Sequence, residues 1–496
     1  MGVRHAFVTV VGFKGTLRQQ VGWRDASLLP VGLRRRFRRA SYPRNYRVSF
    51  LHMKIFGHRG GFERERPRVV VIAGPTAVGK SELAHALASR LDGEIVSADS
   101  VQVYRGLDIG SNKPSAVERA TVRYHLVDIL EPSRDAFSAG AFFELARAAT
   151  ADILARNRVP IVVGGTMMYL RWYVLGKPAT IAATPEVTQA VVKELENDGW
   201  DWDRSLARLA AVDPARAATL HRNDWYRLRR ALEVLKSTGG VGIGVLPRLG
   251  GAPPASKSSP INASRQPLPN ETVWEDETEP VQHSSGQVDD SRLDYDFRCY
   301  FLALPRALLN QRIDARCEEM VARGLLRETA MLLQGPWVGI QSLDEFSAAH
   351  RTENGTLSAF RAIGYRQSIE YLVHGERSPD GLRSFLQKFM QASRQYARRQ
   401  IQWYRAERRF RWRAADRIDL VDTIEHELRA NDEARVFLDD DEEDRRLREE
   451  SRRQAKSMKR YRSTLRLFDT DEKAWQVLRE IDWFRPGSPS FEAKSP

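Results

Sequence analysis

Short Val-rich apolar runs alternate with segments of helical spacing from Pro67 onward. Arg68–Ala73 (RVVVIA) is apolar throughout after its first residue and stops at a glycine, which predicts a strand buried on both faces. Lys80–Leu91 places Leu83, Ala84, Leu87, Ala88 and Leu91 on one helical face. Gly93–Ser97 (GEIVS) predicts a second strand and Ala141–Asn157 a helix. Val159–Val163 (VPIVV) predicts a buried strand that runs into Gly164-Gly165-Thr166. Strand and helix alternating over short links imply an α/β fold, a parallel sheet with helices on both faces. Ligands of such sheets sit beyond the carboxyl ends of the strands. The segments after Ala73, Ser97 and Val163 should therefore meet at one edge.

The pattern then changes. Residues 177–222 show helical spacing without strands and predict a small helical insertion. Leu228–Lys236 is amphipathic and ends at Thr238-Gly239-Gly240. Residues 237–293 are rich in Gly, Pro, Ser, Asn and acids and carry no periodicity, as expected of a disordered insert. A strand at Cys299–Leu304 followed by helices continues the fold, as a helical C-terminal part, to about Arg413. Residues 414–496 form a charged tail, an acidic block at Asp439–Asp444 followed by a basic stretch, for which a solvated helix or disorder is the expectation.

Composition adds three constraints. The 496 residues, 42% hydrophobic with a mean hydropathy of −0.47, suffice for more than one domain and a large core. A net charge of +14 and a pI of 9.8 point to a polyanionic partner, most simply nucleic acid. Part of the excess lies in residues 1–66, a basic leader. Its first fifty residues hold ten Arg and one Lys against the single acid Asp25. Such composition resembles a mitochondrial transit peptide, so the expected location is mitochondrial and/or cytoplasmic. A disordered arm, or a start at Met53, is the other reading of this leader. The two cysteines, Cys299 and Cys317, cannot build a disulfide framework or a zinc site by themselves. No apolar stretch approaches the ~18 residues that span a bilayer.

The chemistry concentrates at two places. Gly74–Ser81 reads GPTAVGKS: Gly74, Pro75, Thr76, Ala77, Val78, Gly79, Lys80 and Ser81 complete a phosphate-binding loop between a strand and a helix. Its glycines let successive N–H groups turn inward, Lys80 supplies a point charge, and Ser81 can ligate Mg²⁺. The fold expectation thereby narrows to a P-loop NTPase-like sheet. The loop does not say which phosphate compound binds. The second place is Ala98–Pro114 (ADSVQVYRGLDIGSNKP), where Asp99 follows a strand end. Asp99 reads as a helix cap, a Mg²⁺ ligand or a general base.

These segments belong to a longer series. GPTAVGKS, ADSVQVYRGLDIGSNKP, YHLVDIL, VPIVVGGTMMYL, HRNDWYRLRRALEV, LNQRIDARCEEMVARGLL, RAIGYRQ and SRQYARRQIQW occur in the order found in the tRNA dimethylallyltransferases, also called tRNA isopentenyltransferases. The chain resembles that family over about residues 67–410. The resemblance implies an enzyme that moves a dimethylallyl group from its diphosphate to N6 of the adenosine beside the anticodon of a tRNA. Its implied partners are dimethylallyl diphosphate and the tRNA anticodon stem-loop, its cofactor Mg²⁺, its oligomeric state a monomer. Asp99 would take the amine proton. Thr166 and an arginine of the R-I-x-x-R block, Arg316 or else Arg312, would contact phosphate or substrate. The implied RNA contacts are Asp99, Ser100, Val101 and Gln102; Arg227 and Arg230; Arg361, Gly364, Tyr365, Arg366 and Gln367; and Arg394, Gln395, Arg398, Arg399 and Gln400. Independently, Ser393–Arg413 carries eight arginines and five aromatics, a composition suited to tracking a phosphate backbone.

Three departures from the family pattern stand out. Met167 replaces the glycine usual after GGT, and Trp225 replaces a common proline. There is no cysteine after Cys317 to form the zinc finger of many eukaryotic members, and the basic tail is a candidate substitute in RNA binding. Two other readings compete. An isopentenyltransferase for free adenine nucleotides would not need the arginine-rich helix or the helical insertion. A P-loop kinase or RNA-binding ATPase would leave the Asp99 block unexplained.

Overall fold

The computed structural model describes residues 66–132, 137–178, 183–242, 248–249, 293–334, 358–429, 442–457 and 461–481. The leader through residue 65 and nearly all of the 237–293 insert lie outside the described residues.

Six strands form one parallel sheet. They are β1 (Arg68–Ala73), β2 (Gly93–Ser97), β3 (Tyr124–His125) and β4 (Val159–Gly164), then β7 (Asp296–Ala303) and β8 (Arg411–Ala414). The order across the sheet is β3-β2-β4-β1-β7-β8. The short strands β5 (Lys177–Pro178) and β6 (Arg248–Leu249) pair separately and antiparallel. Central β1 pairs with β4 and β7, and Val69–Ala73 are wholly buried, which is why no polar position interrupts its sequence. The helices flanking the early strands are α1 (Lys80–Arg90), α2 (Ala116–Thr121), α3 (Ala139–Ala155) and α4 (Met167–Leu175). Because every strand of the sheet runs the same way, the loops after β1, β2 and β4 emerge at one edge.

The expected helical insertion has its own core and extends further than its sequence limits. Helices α5 (Pro185–Asn197), α6 (Trp202–Val212), α7 (Pro214–Ala217) and α8 (Trp225–Ser237) enclose Val191, Leu195, Trp202, Leu209 and Leu228. Thr184, Asp201, Asp213 and Asp224 each cap a helix by accepting a backbone N–H, so short polar residues mark all four starts. Trp225, the residue in place of proline, opens α8. Its ring meets Trp200 and Trp202 edge-on, each with centroids 5.2 Å apart.

The C-terminal half is α9 (Arg306–Ala322), α10 (Leu325–Gln334), α11 (Tyr365–His374), α12 (Pro379–Ala406), α13 (Leu420–Arg429), α14 (Glu442–Ser457) and α15 (Asp471–Ile481). Two expectations are corrected here. The arginine-rich segment is not one helix: α12 stops at Ala406, and Arg411–Ala414 becomes the edge strand β8. Phe410 and Trp412 are core residues packed on Tyr404 and Phe301, so neither offers a stacking surface for a base.

Nor are the described residues after 414 a solvated tail. Leu420, Ile424, Leu428, Phe468, Ala474, Leu478 and Ile481 are buried in the main core. The described end of the acidic block has a structural use as well. Asp444 and Glu443 accept the backbone N–H groups of Trp412 and Ala414, at 2.6 and 3.1 Å, so they occupy donors of the sheet edge. Arg448 stacks over Trp412 and donates to the carbonyls of Tyr404, Arg405, Glu407 and Phe410, at the end of α12 and just beyond it. Arg448→Met should cost about 2–4 kcal/mol, because a buried donor set and the Asp444 partner are lost together. A fall in urea midpoint with an unchanged m value is the check. Deleting residues 414–496 would remove part of the core, so it cannot isolate an RNA-binding role of this segment.

Candidate active site

The edge beyond β1, β2 and β4 holds a cavity of about 440 Å³. Its polar lining includes Thr76, Asp99, Thr166, Arg316, Tyr396 and Arg399, which the chain supplies from five separate segments. Its apolar walls include Val101, Phe137, Ile313, Met320 and Phe389. An apolar cavity with a few convergent polar groups is the usual form of a small-molecule site, for which ~300–1,000 Å³ is typical.

The phosphate loop is built as its glycines imply. Ala77 and Gly79 take positive φ, +63° and +105°, and Gly79 caps α1 without a side chain in the way. The loop is tied to its surroundings by Gln400 of α12. That side chain accepts the Thr76 N–H at 3.0 Å and donates to the Gly165 carbonyl at 2.9 Å. It therefore clamps the loop after β1 to the loop after β4. Arg316, on α9, donates to the Thr76 hydroxyl, while its Nε is buried with no hydrogen-bond partner among the described residues. A buried guanidinium with an unused donor is suited to an anionic ligand. Arg312, the other arginine considered, is exposed and does not line the cavity.

Lys80 donates to the Pro75 carbonyl at 2.8 Å. Burial, foremost, and the nearby Arg316 charge lower its ammonium to about 7, against the opposing pull of Asp99 and Glu82. The sign follows directly: the free protein carries this charge below about pH 7 and loses it above. Inorganic diphosphate should accordingly bind less tightly to wild type than to Lys80→Arg as pH rises from 6 to 8, by up to about tenfold per unit above the midpoint. Titration calorimetry on the two proteins side by side cancels the ionisation of diphosphate itself. A constant affinity ratio would contradict the assignment.

Asp99 follows β2 and caps its own loop: Oδ1 accepts the N–H groups of Val101 and Gln102 at 2.8 and 3.3 Å. No helix starts here, so Asp99 caps a turn and not the helix that the sequence suggested, and Oδ2 is left with no hydrogen bond to a described residue. The carboxylate forms no ion pair with a described residue and lines the cavity shared with Thr76 and Arg316. It is also close enough to raise the Tyr169 and Tyr396 phenols, whose upward shifts come first from burial. Those hydroxyls stay protonated as neutral donors beside it. Burial pushes the Cys317 thiol to about 12, so this cavity-lining cysteine is no nucleophile.

Several residues expected to face RNA are instead turned inward. Gln102 bonds Ser97 at 2.8 Å and the carbonyls of Ser111 and Asn112, and so holds its own loop. Gln400 is buried as the clamp described above. Arg394 pairs with Asp314 and lies over Tyr461. Gly364 and Tyr365 are buried, and Gln367 accepts the Gly364 N–H at 2.9 Å. Tyr365 donates to Glu328 at 2.6 Å, and Glu328 also gathers the N–H groups of Asp108, Ile109 and Gly110. The RAIGYRQ segment thereby braces the loop that carries Asp99. Arg227 and Arg230 sit on α8 of the helical unit, paired with Asp224 and Glu233. Ser100, Arg361, Arg366, Gln395 and Arg398 are exposed, and Arg399 lines the cavity. The bracing Glu328 was missed from the sequence, because nothing in its spacing sets it apart from an ordinary helix-surface acid.

The IPP transferase family profile matches residues 102–407. The chain belongs to the IPP transferase family. It is 40% identical over 442 residues to tRNA dimethylallyltransferase 9 of Arabidopsis thaliana, covering 86% of this chain and 88% of that one. It is 35% identical to a tRNA dimethylallyltransferase of Protochlamydia amoebophila, covering 72% and 87%. A solved eukaryotic dimethylallyltransferase acting on tRNA shares the fold, with a TM-score of 0.53 at 24% identity over 74% of this chain and 80% of that one. No helix among the described residues of this family member is long and apolar enough to cross a membrane.

Proposed function

We infer that this protein transfers the dimethylallyl group of dimethylallyl diphosphate to N6 of the adenosine next to the anticodon of a tRNA. One observation carries the reading: Thr76 and Ala77 of the phosphate loop line the same cavity as Asp99, whose carboxylate has no ion pair among the described residues. The diphosphate belongs on the loop N–H groups, Lys80 and Arg316. These stabilise the negative charge that grows on the leaving oxygen as the allylic C–O bond breaks. The N6 lone pair forms the new bond to that carbon, the C–O electron pair leaves with diphosphate, and the amine proton passes to Asp99. Tyr396 donates to the Gly165 carbonyl at 3.4 Å and fixes the wall on which Thr166 sits.

Mg²⁺ fits the donor set. Ser81 offers a hydroxyl in the first turn of α1, and no group of three or more His, Cys, Asp or Glu among the described residues forms a cage of its own. Mg²⁺ is commonly held by one or two protein oxygens together with substrate phosphates. When bound it adds positive charge at the leaving group. The adenine must leave its stack to enter the cavity, which suits a single-stranded loop as the target. The exposed Arg361, Arg366 and Arg398 are the arginines suited to its backbone.

The test is incubation with labelled dimethylallyl diphosphate and either tRNA or AMP. Label is expected in tRNA alone. Label in AMP would point to the free-nucleotide reading, and ATP hydrolysis without label transfer to the kinase or ATPase reading.

A further inference from the structure

Away from the cavity, α14 meets both α9 and the end of α12, where Arg448 of α14 donates to the Arg405 carbonyl at 3.0 Å, and arginines gather at this seam. Arg306, in the first turn of α9, is 9% exposed, and its Nε is buried with no hydrogen-bond partner among the described residues. Its backbone N–H donates to Gln454 of α14 at 2.7 Å, which fixes the two helices against each other. Burial, and then the charges of Arg405 and Arg398, lower its guanidinium to about 10. Arg405 is lowered likewise, by burial and then by Arg452 and Arg398. Arg405 Nε and Asn310 Oδ1 are also buried with no hydrogen-bond partner among the described residues. Neither Arg306, Arg405 nor Arg452 pairs with a carboxylate among the described residues.

The same seam is neutralised two turns further along α9. There Arg394 pairs with Asp314, whose other oxygen accepts the Tyr461 hydroxyl at 2.9 Å. Like charges brought together with unused buried donors oppose folding unless an anion joins them. The 17-residue helix α9 begins here after Pro305, which offers no side-chain cap of its own, and its N-terminus adds positive potential. Planar guanidiniums match the oxygens of a phosphate in paired hydrogen bonds.

We propose that Arg306, Arg405 and Arg452, with Arg398 at the rim, form a second anion site that takes one phosphate group, apart from the phosphate loop. The phosphate belongs either to the backbone of a bound RNA or to free inorganic phosphate. The first source rests on the proposed action on tRNA; the second does not. Arg452 comes from α14, which gives the C-terminal segment a part in anion binding that is separate from its place in the core.

The experiment compares the full chain with Arg405→Gln/Arg452→Gln, and with Arg452→Gln alone, whose exposed side chain can be changed without disturbing packing. Thermal unfolding is followed with and without inorganic phosphate in a Lys80→Ala background, which silences the loop. tRNA binding by the proteins with intact Lys80 is titrated against salt. Without phosphate, relief of repulsion should leave the midpoint of the double variant equal to or above that of its parent. If the ligand is RNA, the double variant loses about tenfold in tRNA affinity and the log K against log salt slope becomes shallower by about one. If it is free phosphate, the thermal shift with phosphate is abolished and the salt slope is unchanged. The proposal is overturned if the phosphate shift and the salt slope both stay as in the parent, for the single as for the double variant. Prenyl transfer itself, read by label in tRNA, reports separately on the proposed activity.

Discussion

Asp99→Ala lowers transfer to tRNA by about 10²–10⁴-fold, the usual worth of a positioned general base. The expected loss is in kcat, with tRNA affinity nearly unchanged. Alanine also deletes the cap on the Val101 and Gln102 N–H groups, so a loss in that variant alone mixes chemistry with loop order. Asp99→Asn separates the two. Its amide oxygen can still accept those N–H groups, yet it cannot take a proton at neutral pH. If Asn restores the loop and activity together, Asp99 is a structural cap and the proton goes elsewhere. If Asn is as inactive as Ala while urea unfolding matches wild type, the carboxylate is the base.

Arg316→Met is the second large effect. The guanidinium contacts Thr76 of the phosphate loop and is buried with a spare donor, so its loss removes charge stabilisation in a water-poor site. Losing one such donor costs about 10²–10³ in kcat. Methionine keeps the length and apolar body of the side chain, and it removes a buried charge that itself opposes folding. Stability should therefore hold or rise while turnover falls. Lower stability with a proportionate fall in activity would make Arg316 a packing residue. Arg312→Met serves as the control: that side chain is exposed, and activity should change little.

The limits of β1 were legible in the sequence because a strand buried on both faces leaves a run with no polar position. The phosphate loop was legible because it is contiguous: eight neighbouring residues contain both the backbone shape and the charge. Asp99 was legible as a carboxylate at a strand end, although its capping bonds and its place in the cavity required coordinates. The strand β7 was placed late, at Cys299 rather than Asp296, because the charged residues Asp296 and Arg298 interrupt the apolar pattern. They pair with each other inside the protein at 2.9 Å.

The C-terminal segment shows where sequence reasoning stops. Its acids and arginines look like a solvated run, since composition cannot say whether a charge meets water or an orphan backbone group. Asp444, Glu443 and Arg448 meet backbone groups of β8 and α12, tens of residues away in the chain. Gln400 is a similar case. A glutamine in an arginine-rich helix reads as a surface residue, and only the crossing of α12 over two loop ends makes it the clamp between Thr76 and Gly165.

By itself the sequence determined the parallel sheet, the diphosphate chemistry of Gly74–Ser81 and the family, because each is written in contiguous residues whose physics is local. Tertiary structure alone decided which arginine enters the cavity, which expected RNA contacts are turned inward, and that residues 420–428 and 468–481 contribute side chains to the core. Those outcomes depend on which groups from distant segments end within hydrogen-bond reach of one another, and local spacing carries no information about that distance.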